Sequence, residues 1–364
     1  MKIIHNTKLS LIHAYLFSIK KALLREGRRN NKDVKILVTG GSGFLGRHLI
    51  KALQEAGYKD LRTLNRSACE DLREQGVEVI QGDVSNYNCV EKAVQGCEVV
   101  FHVAAKAGVW GSYKSYYKAN VTGTENVIRA CWKHSVTKLI YTSSPSVVFN
   151  GNSLCNVTEQ IGYGSPSKMC AYAKTKALAE QYVLQANEQK DLKTVALRPH
   201  LIFGPGDNHL IPTLLQAAKR GLLAQIGDGQ NWVDLSYVED VAQAHVLAMK
   251  ALESSETVAG KAYFISQGDP VQLWPWVQNL LERLNLPKIR LKMPLTLAFG
   301  LGILCEIVYK LLWVRKQPPM TRFVAKELAQ SHYFDISAAK MELHYLPKYS
   351  NEEAFEKLIK HLKK

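Results

Sequence analysis

The sequence predicts an α/β fold in which a doubly wound parallel sheet is joined to a smaller, mainly helical domain. From residue 34 to about residue 205, short apolar segments alternate with amphipathic helical segments. This alternation is typical of a parallel sheet with helices on both faces. We therefore expect residues 34–205, with 232–262 returning to them, to form the sheet domain. Residues 206–231 and 263–364 should form a smaller domain on the side where such sheets bind their substrates.

Each strand and helix of the sheet domain follows from a local pattern. Strands are indicated by short runs of apolar residues between turn-forming residues, and helices by apolar residues at every third or fourth position. The predicted strands are 34–38, 61–64, 77–81, 99–104, 139–143 and 194–198, and the main helices are 44–55, 120–132 and 171–186. The carboxyl ends of these strands should meet at one edge of the sheet.

The composition is that of a folded protein with an excess of positive charge. The 364 residues are 46% apolar and carry 47 Lys and Arg against 32 Asp and Glu, for a net charge of +15. This apolar fraction excludes disorder of the whole chain. The seven cysteines include no C-x-x-C pair, so we expect no disulfide framework and a reducing, cytoplasmic location. Neither a metal-ligand motif nor a nucleic-acid module is present in the sequence, so we expect neither ligand.

Two apolar segments raise the question of membrane contact. The basic N-terminal extension, residues 1–33, has eight Lys and Arg against Glu26 and Asp33 and an apolar run at 9–19, which is too short to span a bilayer. We interpret it as a solubilising extension or as an amphipathic helix on a membrane or a partner. Residues 295–314 are apolar except for two charges. A core helix, a membrane-facing or substrate-facing helix, and a span all remain open, so peripheral contact with the inner membrane is one expectation.

A glycine-rich turn follows the first strand and precedes the first helix. Gly40, Gly43 and Gly46 form a G-x-x-G-x-x-G pattern at this position. Glycines allow the backbone to turn tightly and to approach a pyrophosphate, which then lies at the N-terminus of the helix. In this context the pattern predicts a Rossmann-type dinucleotide site, with these glycines, Phe44 and Leu45 against the cofactor.

The ends of the next three strands indicate which dinucleotide is bound. Enzymes that use NAD usually have an acidic residue at the end of the second strand, where it binds the ribose 2′-hydroxyl. Asn65 and Arg66 occupy this end instead, so no acid repels a 2′-phosphate and a guanidinium is available to bind it. We therefore predict NADP(H) as the cofactor. Further cofactor contacts are predicted from Asp83, Val84, Ala104 and Ala105.

A tyrosine and a lysine lie one turn apart on a predicted helix. Tyr172 and Lys176 are four residues apart, which places both on one face. A nearby ammonium group lowers the pKa of a tyrosine, so the phenol can exchange a proton with a carbonyl or alcohol oxygen as hydride moves. Ser144 follows the preceding strand and is predicted to hydrogen-bond the same oxygen, with Ser143 as the near alternative.

The glycine motif, the serine and the Tyr-x-x-x-Lys pair, in this order, resemble the extended short-chain dehydrogenase/reductases over most of the chain. The resemblance implies that Ser144, Tyr172 and Lys176 are catalytic, and that the tyrosine and the lysine also contact the cofactor. It implies a proton-relay role for Asn120, with a purely structural hydrogen bond as the alternative, and places Pro199 against the nicotinamide. Homodimers are common in this family, so a homodimer is expected.

Two further stretches resemble the 3β-hydroxysteroid dehydrogenase group, and within it the bacterial 2-alkyl-3-oxoalkanoate reductases of long-chain olefin biosynthesis. They are His102-Val-Ala-Ala-Lys-Ala-Gly-Val-Trp-Gly111 and Arg198-Pro-His-Leu-Ile-Phe-Gly-Pro-Gly-Asp-Asn-His-Leu210. This resemblance implies NADPH-dependent reduction of the β-keto group of a long-chain 2-alkyl-3-oxoalkanoate to the 2-alkyl-3-hydroxyalkanoate. The substrate carboxylate then needs a cation, for which Lys106 and Arg322 are candidates. Assembly with other enzymes of olefin biosynthesis is a further expectation.

Three other functions remain open. A 3β-hydroxysteroid or sterol dehydrogenase would use the same catalytic residues, although Asn65 and Arg66 count against NAD-linked oxidation. A nucleotide-sugar epimerase or dehydratase is the second alternative, but dehydratases commonly carry an acidic pair beside the serine, and Ser144-Pro-Ser146 has none. A cofactor-binding scaffold without activity would be expected to have lost part of the catalytic set, which is complete here.

Overall fold

The computed structural model describes residues 33–165, 170–314 and 316–364. The predicted basic extension lies outside these residues, except for Asp33. In the described part, parallel strands alternate with helices from Ile36 to Pro199, and after Ile265 helices prevail. The alternation that the sequence predicts is therefore present.

Strands and helices are numbered here in chain order within the described residues. The strands are β1 (Ile36–Thr39), β2 (Leu61–Asn65), β3 (Glu78–Gln81), β4 (Val99–His102), β5 (Lys138–Thr142), β6 (Leu154–Val157), β7 (Lys193–Pro199), β8 (Ile202–Phe203), β9 (Ala224–Ile226), β10 (Trp232–Val233), β11 (Ser236–Tyr237), β12 (Lys261–Ile265), β13 (Val271–Gln272), β14 (Leu291–Met293) and β15 (His332–Phe334). The α-helices are α1 (Phe44–Glu55), α2 (Glu70–Glu74), α3 (Tyr87–Val94), α4 (Tyr113–Tyr116), α5 (Gly123–Lys133), α6 (Ala171–Gln185), α7 (Leu210–Lys219), α8 (Val238–Ser254), α9 (Leu273–Arg283), α10 (Leu295–Leu311), α11 (Arg322–Ala329), α12 (Ser337–Glu342) and α13 (Asn351–Leu362). A π-helical turn, Tyr117–Thr122, leads into α5.

Seven strands form one parallel sheet in the order β12-β7-β5-β4-β1-β2-β3. β1 lies next to the central strand β4, and its Ile36 is opposite Leu61 of β2 on one side and Val99 of β4 on the other. These three strands are buried along their whole length, as expected of a parallel sheet covered on both faces. The predicted doubly wound α/β fold is confirmed.

Helices bury both faces of this sheet. On one face α1 packs against α8, and Leu49 and Val241 join the same hydrophobic core. On the other face α3, α5 and α6 contribute Val90, Val127 and Val183 to a second core. Because both faces are packed, the ends of the strands are held in fixed positions.

The carboxyl edge of the sheet is where the predicted site residues meet. The order of the strands reverses between β1 and β4, and ligands of such sheets bind at this switch point. The segments that follow β1, β4 and β5 contain Gly40, Ala104 and Ser144. The fold therefore brings residues from three separate parts of the sequence to one edge.

The rest of the molecule is smaller and mainly helical, as predicted, but it also contains short strands that were not predicted. β13, β10, β15 and β6 form a four-stranded sheet, and β8 with β11 and β9 with β14 form two pairs. β6 comes from the predicted sheet domain, yet its Leu154 lies opposite His332 of β15. Strands of two to four residues are too short for an alternating pattern to indicate them.

α10 covers most of the apolar stretch 295–314. Of its 17 residues, only Ala298 and Gly302 are buried, so the interpretation as a core helix is wrong. Among the residues that the structure describes, no helix is both long enough and apolar enough to cross a membrane. The helix lies on the outside of the molecule with its apolar side chains exposed.

Candidate active site

A cavity of about 1060 Å³ opens along the carboxyl edge of the sheet. The glycine-rich turn lines one end, and Phe323, His332 and Phe334 line the other. Most of the predicted site residues face it: Gly40, Gly43, Phe44, Leu45, Gly46, Asn65, Arg66, Asp83, Val84, Ala104, Ala105, Lys106, Ser144, Tyr172, Lys176 and Pro199. Asn120 and Arg322 do not line it.

The glycine-rich turn is shaped by contacts that leave no room for side chains. Gly40 has a φ of +73°, and a Cβ at this position would lie 2.9 Å from the Cα of Ala104. A Cβ at Gly46 would lie 2.2 Å from the carbonyl oxygen of Gly40. The turn leads directly into α1, whose first residues, Phe44 and Leu45, face the cavity. The backbone N–H groups at such a helix end suit a pyrophosphate.

Asn65 and Arg66 lie at the end of β2 beside this turn. Asn65 is buried, and its Oδ1 accepts hydrogen bonds from the Ser42 amide at 3.0 Å and the Thr63 hydroxyl at 3.3 Å. Its Nδ2 has no hydrogen-bond partner among the described residues. Arg66 is exposed, and its guanidinium has no ion pair within the described part of the chain. Both side chains therefore have donors available at the cofactor end of the cavity.

Asp83, Val84 and the two alanines complete this end. Burial acts to raise the pKa of Asp83, but hydrogen bonds from Ser85 and the charge of Arg66 lower it overall. The Ala104 amide donates to the Thr39 hydroxyl at 3.2 Å, which holds the loop after β4 against β1. Because Ala104 and Ala105 have small side chains, a ligand can approach the backbone closely at this wall of the cavity.

Ser144 and Tyr172 are brought together from β5 and α6. Ser144 directly follows the end of β5 and caps a 3₁₀ turn by accepting from the Ser146 amide at 3.2 Å. Tyr172 is the second residue of α6, and the two hydroxyls hydrogen-bond each other. Ser143 also lines the cavity, but its buried hydroxyl has no partner among the described residues. The contact with Tyr172 favours Ser144 as the residue that orients a reacting oxygen.

Burial raises the pKa of Tyr172 to about 12, while the hydrogen bond with Ser144 opposes the shift. This differs from the expectation that Lys176 lowers that pKa. The reason is the direction of the lysine side chain, whose Nζ donates to the carbonyl oxygen of Thr142 and lies 4.1 Å above the centre of the Tyr141 ring. The phenol is thus a protonated group in this structure.

Lys176 is itself almost completely buried, with 2% of its surface exposed. Burial lowers its pKa to about 7, and the charge of Glu180 opposes this shift. Glu180 lies one turn further along α6 and is fully buried. A cation in this place needs compensation from nearby acceptors and charges, which the Thr142 carbonyl, the Tyr141 ring and Glu180 provide.

Glu180 and Arg198 form a buried ion pair that the sequence analysis missed. The guanidinium of Arg198 donates to the Glu180 carboxylate at 2.6 and 3.0 Å, and the two side chains are 5% and 0% exposed. Arg198 is on β7, next to Pro199 on the cavity wall. The sequence did contain a signal for Glu180, which lies four residues after Lys176 and so on the same face of the helix. It contained no signal for the pairing, because Arg198 is 18 residues further along the chain.

Asn120 holds two parts of the site together. It lies in the π-helical turn, a distortion that occurs frequently at functional sites. Its Oδ1 accepts from the Lys106 amide at 2.7 Å, and its Nδ2 donates to the Lys106 carbonyl at 3.2 Å and the Thr175 hydroxyl at 3.1 Å. These hydrogen bonds fit the structural role that was the alternative to a proton relay, since through them Asn120 positions the loop after β4 against α6.

The two candidate cations for a substrate carboxylate differ in position. Lys106 lines the cavity, where its Nζ donates to the Ser115 hydroxyl at 2.7 Å. Arg322 does not line it, and its guanidinium donates to Glu306 at 2.8 and 3.0 Å. The suggestion of Arg322 is therefore corrected, because its charge is already paired on the outside of the molecule.

A histidine pair at the far end of the cavity was also missed. The Nε2 of His332 donates to the Glu327 carbonyl at 2.8 Å, so in the neutral ring Nδ1 is the acceptor for His200 Nε2, at 2.6 Å. Burial, together with the neighbouring ring, lowers the pKa of His200 well below its ordinary value. The two residues are 132 positions apart, and no sequence pattern connects them.

Comparison with known proteins fits this arrangement. The model of the 3-beta hydroxysteroid dehydrogenase/isomerase family matches residues 37–295. These include the glycine-rich turn, Ser144, Tyr172, Lys176 and most of the cavity wall. The chain belongs to this family. The resemblance predicted from the sequence motifs is confirmed.

Proteins similar to this chain are named as reductases and dehydrogenases. A Stenotrophomonas maltophilia protein named 2-alkyl-3-oxoalkanoate reductase is 44% identical over 327 residues, which are 89% of this chain and 98% of the relative. A Shewanella oneidensis protein of the same name is 43% identical over 328 residues, 88% of this chain and 84% of the relative. Mouse sterol-4-alpha-carboxylate 3-dehydrogenase, decarboxylating, is 36% identical over 344 residues, 92% and 93% of the two chains.

Solved structures share the fold of this member of the 3-beta hydroxysteroid dehydrogenase/isomerase family. The crystal structure of gox2253 has a TM-score of 0.73 at 26% identity and covers 91% of this chain and 98% of its own. UDP-glucuronic acid 4-epimerase from Bacillus cereus, in complex with NAD, has a TM-score of 0.69 at 20% identity and covers 91% and 99%. The second likeness concerns the fold alone.

The lowered pKa of Lys176 should make stability depend on pH. In the unfolded chain the amine keeps its ordinary pKa of 10.5, whereas the folded protein releases the proton near pH 7. Between these values the unfolded state binds more protons, so folding becomes more favourable as the pH rises. We expect the free energy of unfolding of the wild type, relative to Lys176→Met, to rise by about 1 kcal/mol per pH unit above about pH 7.5.

Chemical denaturation of both proteins at several pH values measures this difference. The variant also loses the hydrogen bond of Lys176, which lowers its free energy of unfolding by the same amount at every pH. This loss cancels when the difference between the two proteins is compared at two pH values. Lys174→Met is the matched control on the same helix, and it should keep the wild-type dependence because Lys176 is intact. A difference between wild type and Lys176→Met that stays constant with pH would show that the ammonium is not perturbed.

Proposed function

We propose that the protein is an NADPH-dependent reductase that converts the β-keto group of a long-chain 2-alkyl-3-oxoalkanoate to a hydroxyl group. The observation that carries the proposal is the placement of Ser144, Tyr172 and Lys176 between the glycine-rich turn and the apolar end of one cavity. The two bacterial relatives supply the substrate class, since both are named 2-alkyl-3-oxoalkanoate reductase.

The cofactor end of the cavity suits NADP(H). The glycine-rich turn offers backbone N–H groups to the pyrophosphate, and the exposed guanidinium of Arg66 offers a charge to the 2′-phosphate. The buried Nδ2 of Asn65, which has no partner among the described residues, is a donor for the adenosine ribose. When bound, NADPH supplies the hydride that reduces the keto carbon.

The protein's own residues manage the proton. Tyr172 is the general acid: its phenol, which burial keeps protonated, donates to the carbonyl oxygen as negative charge develops there. The Ser144 hydroxyl hydrogen-bonds the same oxygen and orients it. Lys176, on the same face of α6, binds the nicotinamide ribose.

The opposite end of the cavity suits a long-chain acid. The rings of Phe149 and Phe323 meet edge to face with centroids 4.9 Å apart, and both line the cavity together with Phe334. These rings offer apolar surface to the alkyl chains. We assign the carboxylate to Lys106, which lies on the wall between this apolar end and the cofactor end.

The experiment that tests the substrate uses the reverse reaction, which avoids unstable β-keto acids. Purified protein with NADP⁺ is offered a long-chain 2-alkyl-3-hydroxy acid and, in parallel, a 3β-hydroxysteroid, and reduction is followed at the nicotinamide absorbance band. We expect turnover of the hydroxy acid. Turnover of the steroid alone would make the protein a steroid or sterol dehydrogenase, as the mouse relative is named, and would discard our substrate class.

Replacing Tyr172 with Phe should strongly reduce turnover and leave cofactor binding intact. The change removes one oxygen and keeps the ring that packs in the cavity wall. We expect the turnover number to fall by about 10²–10⁴-fold, because that is the usual contribution of a general acid. NADPH affinity, measured by fluorescence titration, should stay close to normal. Tyr113→Phe, at an exposed tyrosine, is the control, and near-normal turnover in Tyr172→Phe would refute the assignment.

Arg66 should decide between the two nicotinamide dinucleotides. Replacing it with Ala removes the cation that we assign to the 2′-phosphate, a group that NADH lacks. We expect the Kd for NADPH to rise about tenfold or more and that for NADH to change little, since a charge-assisted hydrogen bond contributes about 1.5–3 kcal/mol. Arg73→Ala, which removes an exposed arginine from α2, is the control. An equal effect of Arg66→Ala on both cofactors would exclude the role.

A further inference from the structure

α10 presents a continuous apolar face on the outside of the molecule. Nine apolar side chains in and just after this helix are exposed, from 37% for Leu301 to 90% for Trp313. Within the helix they form two adjacent rows, 297-301-304-308-311 and 303-307-311, each with intervals of three or four residues, and therefore share one side. They are Leu297, Leu301, Ile303, Leu304, Ile307, Val308, Leu311, Leu312 and Trp313. A contiguous patch of this kind marks an interaction surface.

The opposite side of α10 is fixed to the protein. It packs so closely on the start of α11 that a Cβ at Gly302 would lie 2.7 Å from the backbone of Thr321. Glu306 on the same side accepts hydrogen bonds from the Arg322 guanidinium at 2.8 and 3.0 Å and from its amide at 2.9 Å. The helix is therefore firmly attached to the protein through this side, and its apolar side chains are exposed on the other side.

Basic residues flank the apolar face at both ends. Between positions 288 and 316 the sequence has six basic residues and a single acidic one, Glu306, which Arg322 neutralises. The basic residues are Lys288, Arg290, Lys292, Lys310, Arg315 and Lys316. An apolar face with cationic ends and a tryptophan at its edge has the composition of a helix that lies in the interface of an anionic bilayer.

α10 also lies beside the apolar end of the cavity. The Trp110 ring meets the Tyr309 ring with centroids 6.1 Å apart, and its Nε1 donates to the Val314 carbonyl at 3.2 Å. The residue before it, Val109, lines the cavity, as does Phe323 of α11. The two segments that contact α10 thus each contribute a residue to the cavity wall.

We propose that the apolar face of α10, with Trp313, docks the protein on an anionic lipid surface. Lipid fits better than a protein partner because the centre of the face offers no charged side chain that would specify one, while both ends match anionic headgroups. The helix would lie along the surface, in keeping with the finding that no described helix is long and apolar enough to cross a membrane. The nearby cavity end would then admit a long-chain substrate from the lipid; this last argument alone rests on the proposed function.

Vesicle flotation of the purified full-length protein tests the proposal. The vesicles consist of phosphatidylcholine, alone or with about one third phosphatidylglycerol, to supply the anionic charge. Leu304→Glu/Leu311→Glu places two carboxylates in the face, and we expect its bound fraction to fall about tenfold or more on the anionic vesicles. Leu222→Glu/Leu346→Glu makes the same change at leucines elsewhere that are 68% and 73% exposed, and it should bind like the wild type.

A second variant addresses the charged ends without altering the apolar face. Lys292→Gln/Lys310→Gln/Lys316→Gln should lose most of the preference for anionic over neutral vesicles. Equal binding by the wild type and Leu304→Glu/Leu311→Glu would overturn the proposal, since binding would then come from another part of the chain, such as basic residues 1–33. Failure of the wild type to bind the vesicles would overturn the proposal too. If light scattering showed a change from dimer to monomer in Leu304→Glu/Leu311→Glu, the face would instead be assigned to contact with a second copy of the chain. Turnover is not measured, so either failure leaves the proposed reaction standing.

Discussion

The buried ammonium group of Lys176 is the constraint on which the site depends. A buried cation is tolerated only when acceptors and charges surround it, and here they come from three elements: the Thr142 carbonyl on β5, Glu180 on α6, and, through Glu180, Arg198 on β7. The contacts that compensate the buried charge of Lys176 therefore fix α6 against two strands of the sheet. The same placement sets Tyr172, one turn earlier on α6, beside Ser144 at the end of β5.

The pKa values on α6 follow from this burial. Desolvation raises the pKa of Tyr172 to about 12 and lowers that of Lys176 to about 7, so each group favours its neutral form. A neutral phenol is a proton donor, which suits reduction of a ketone. Mutating Glu180 would lower the pKa of Lys176 further from outside the cavity, because the Glu180 charge opposes the effect of burial.

The sequence predicted the parts of the site that are local. Gly40, Ser144 and Tyr172 belong to short motifs, and because parallel strands end at the same edge of the sheet, placing each motif after its strand also placed it near the others. The pairs Glu180–Arg198 and His200–His332 join residues distant in sequence, so no local pattern indicated them. Arg322 was mistaken for a substrate ligand for the same reason: a charge in a sequence does not show that Glu306 already pairs with it.

The two ends of the cavity differ in how they are built, and this explains why one fold accommodates different substrates. The cofactor end consists of tight backbone contacts, such as those of Gly40 and Gly46, which tolerate little change. The other end is assembled from side chains on short elements of the C-terminal region, including Phe323 and His332, where a substitution alters shape without disturbing the sheet. Reductases, sterol dehydrogenases and epimerases are accordingly found among proteins similar to this chain. The fold specifies the site of chemistry, whereas the side chains at the apolar end select what reacts there.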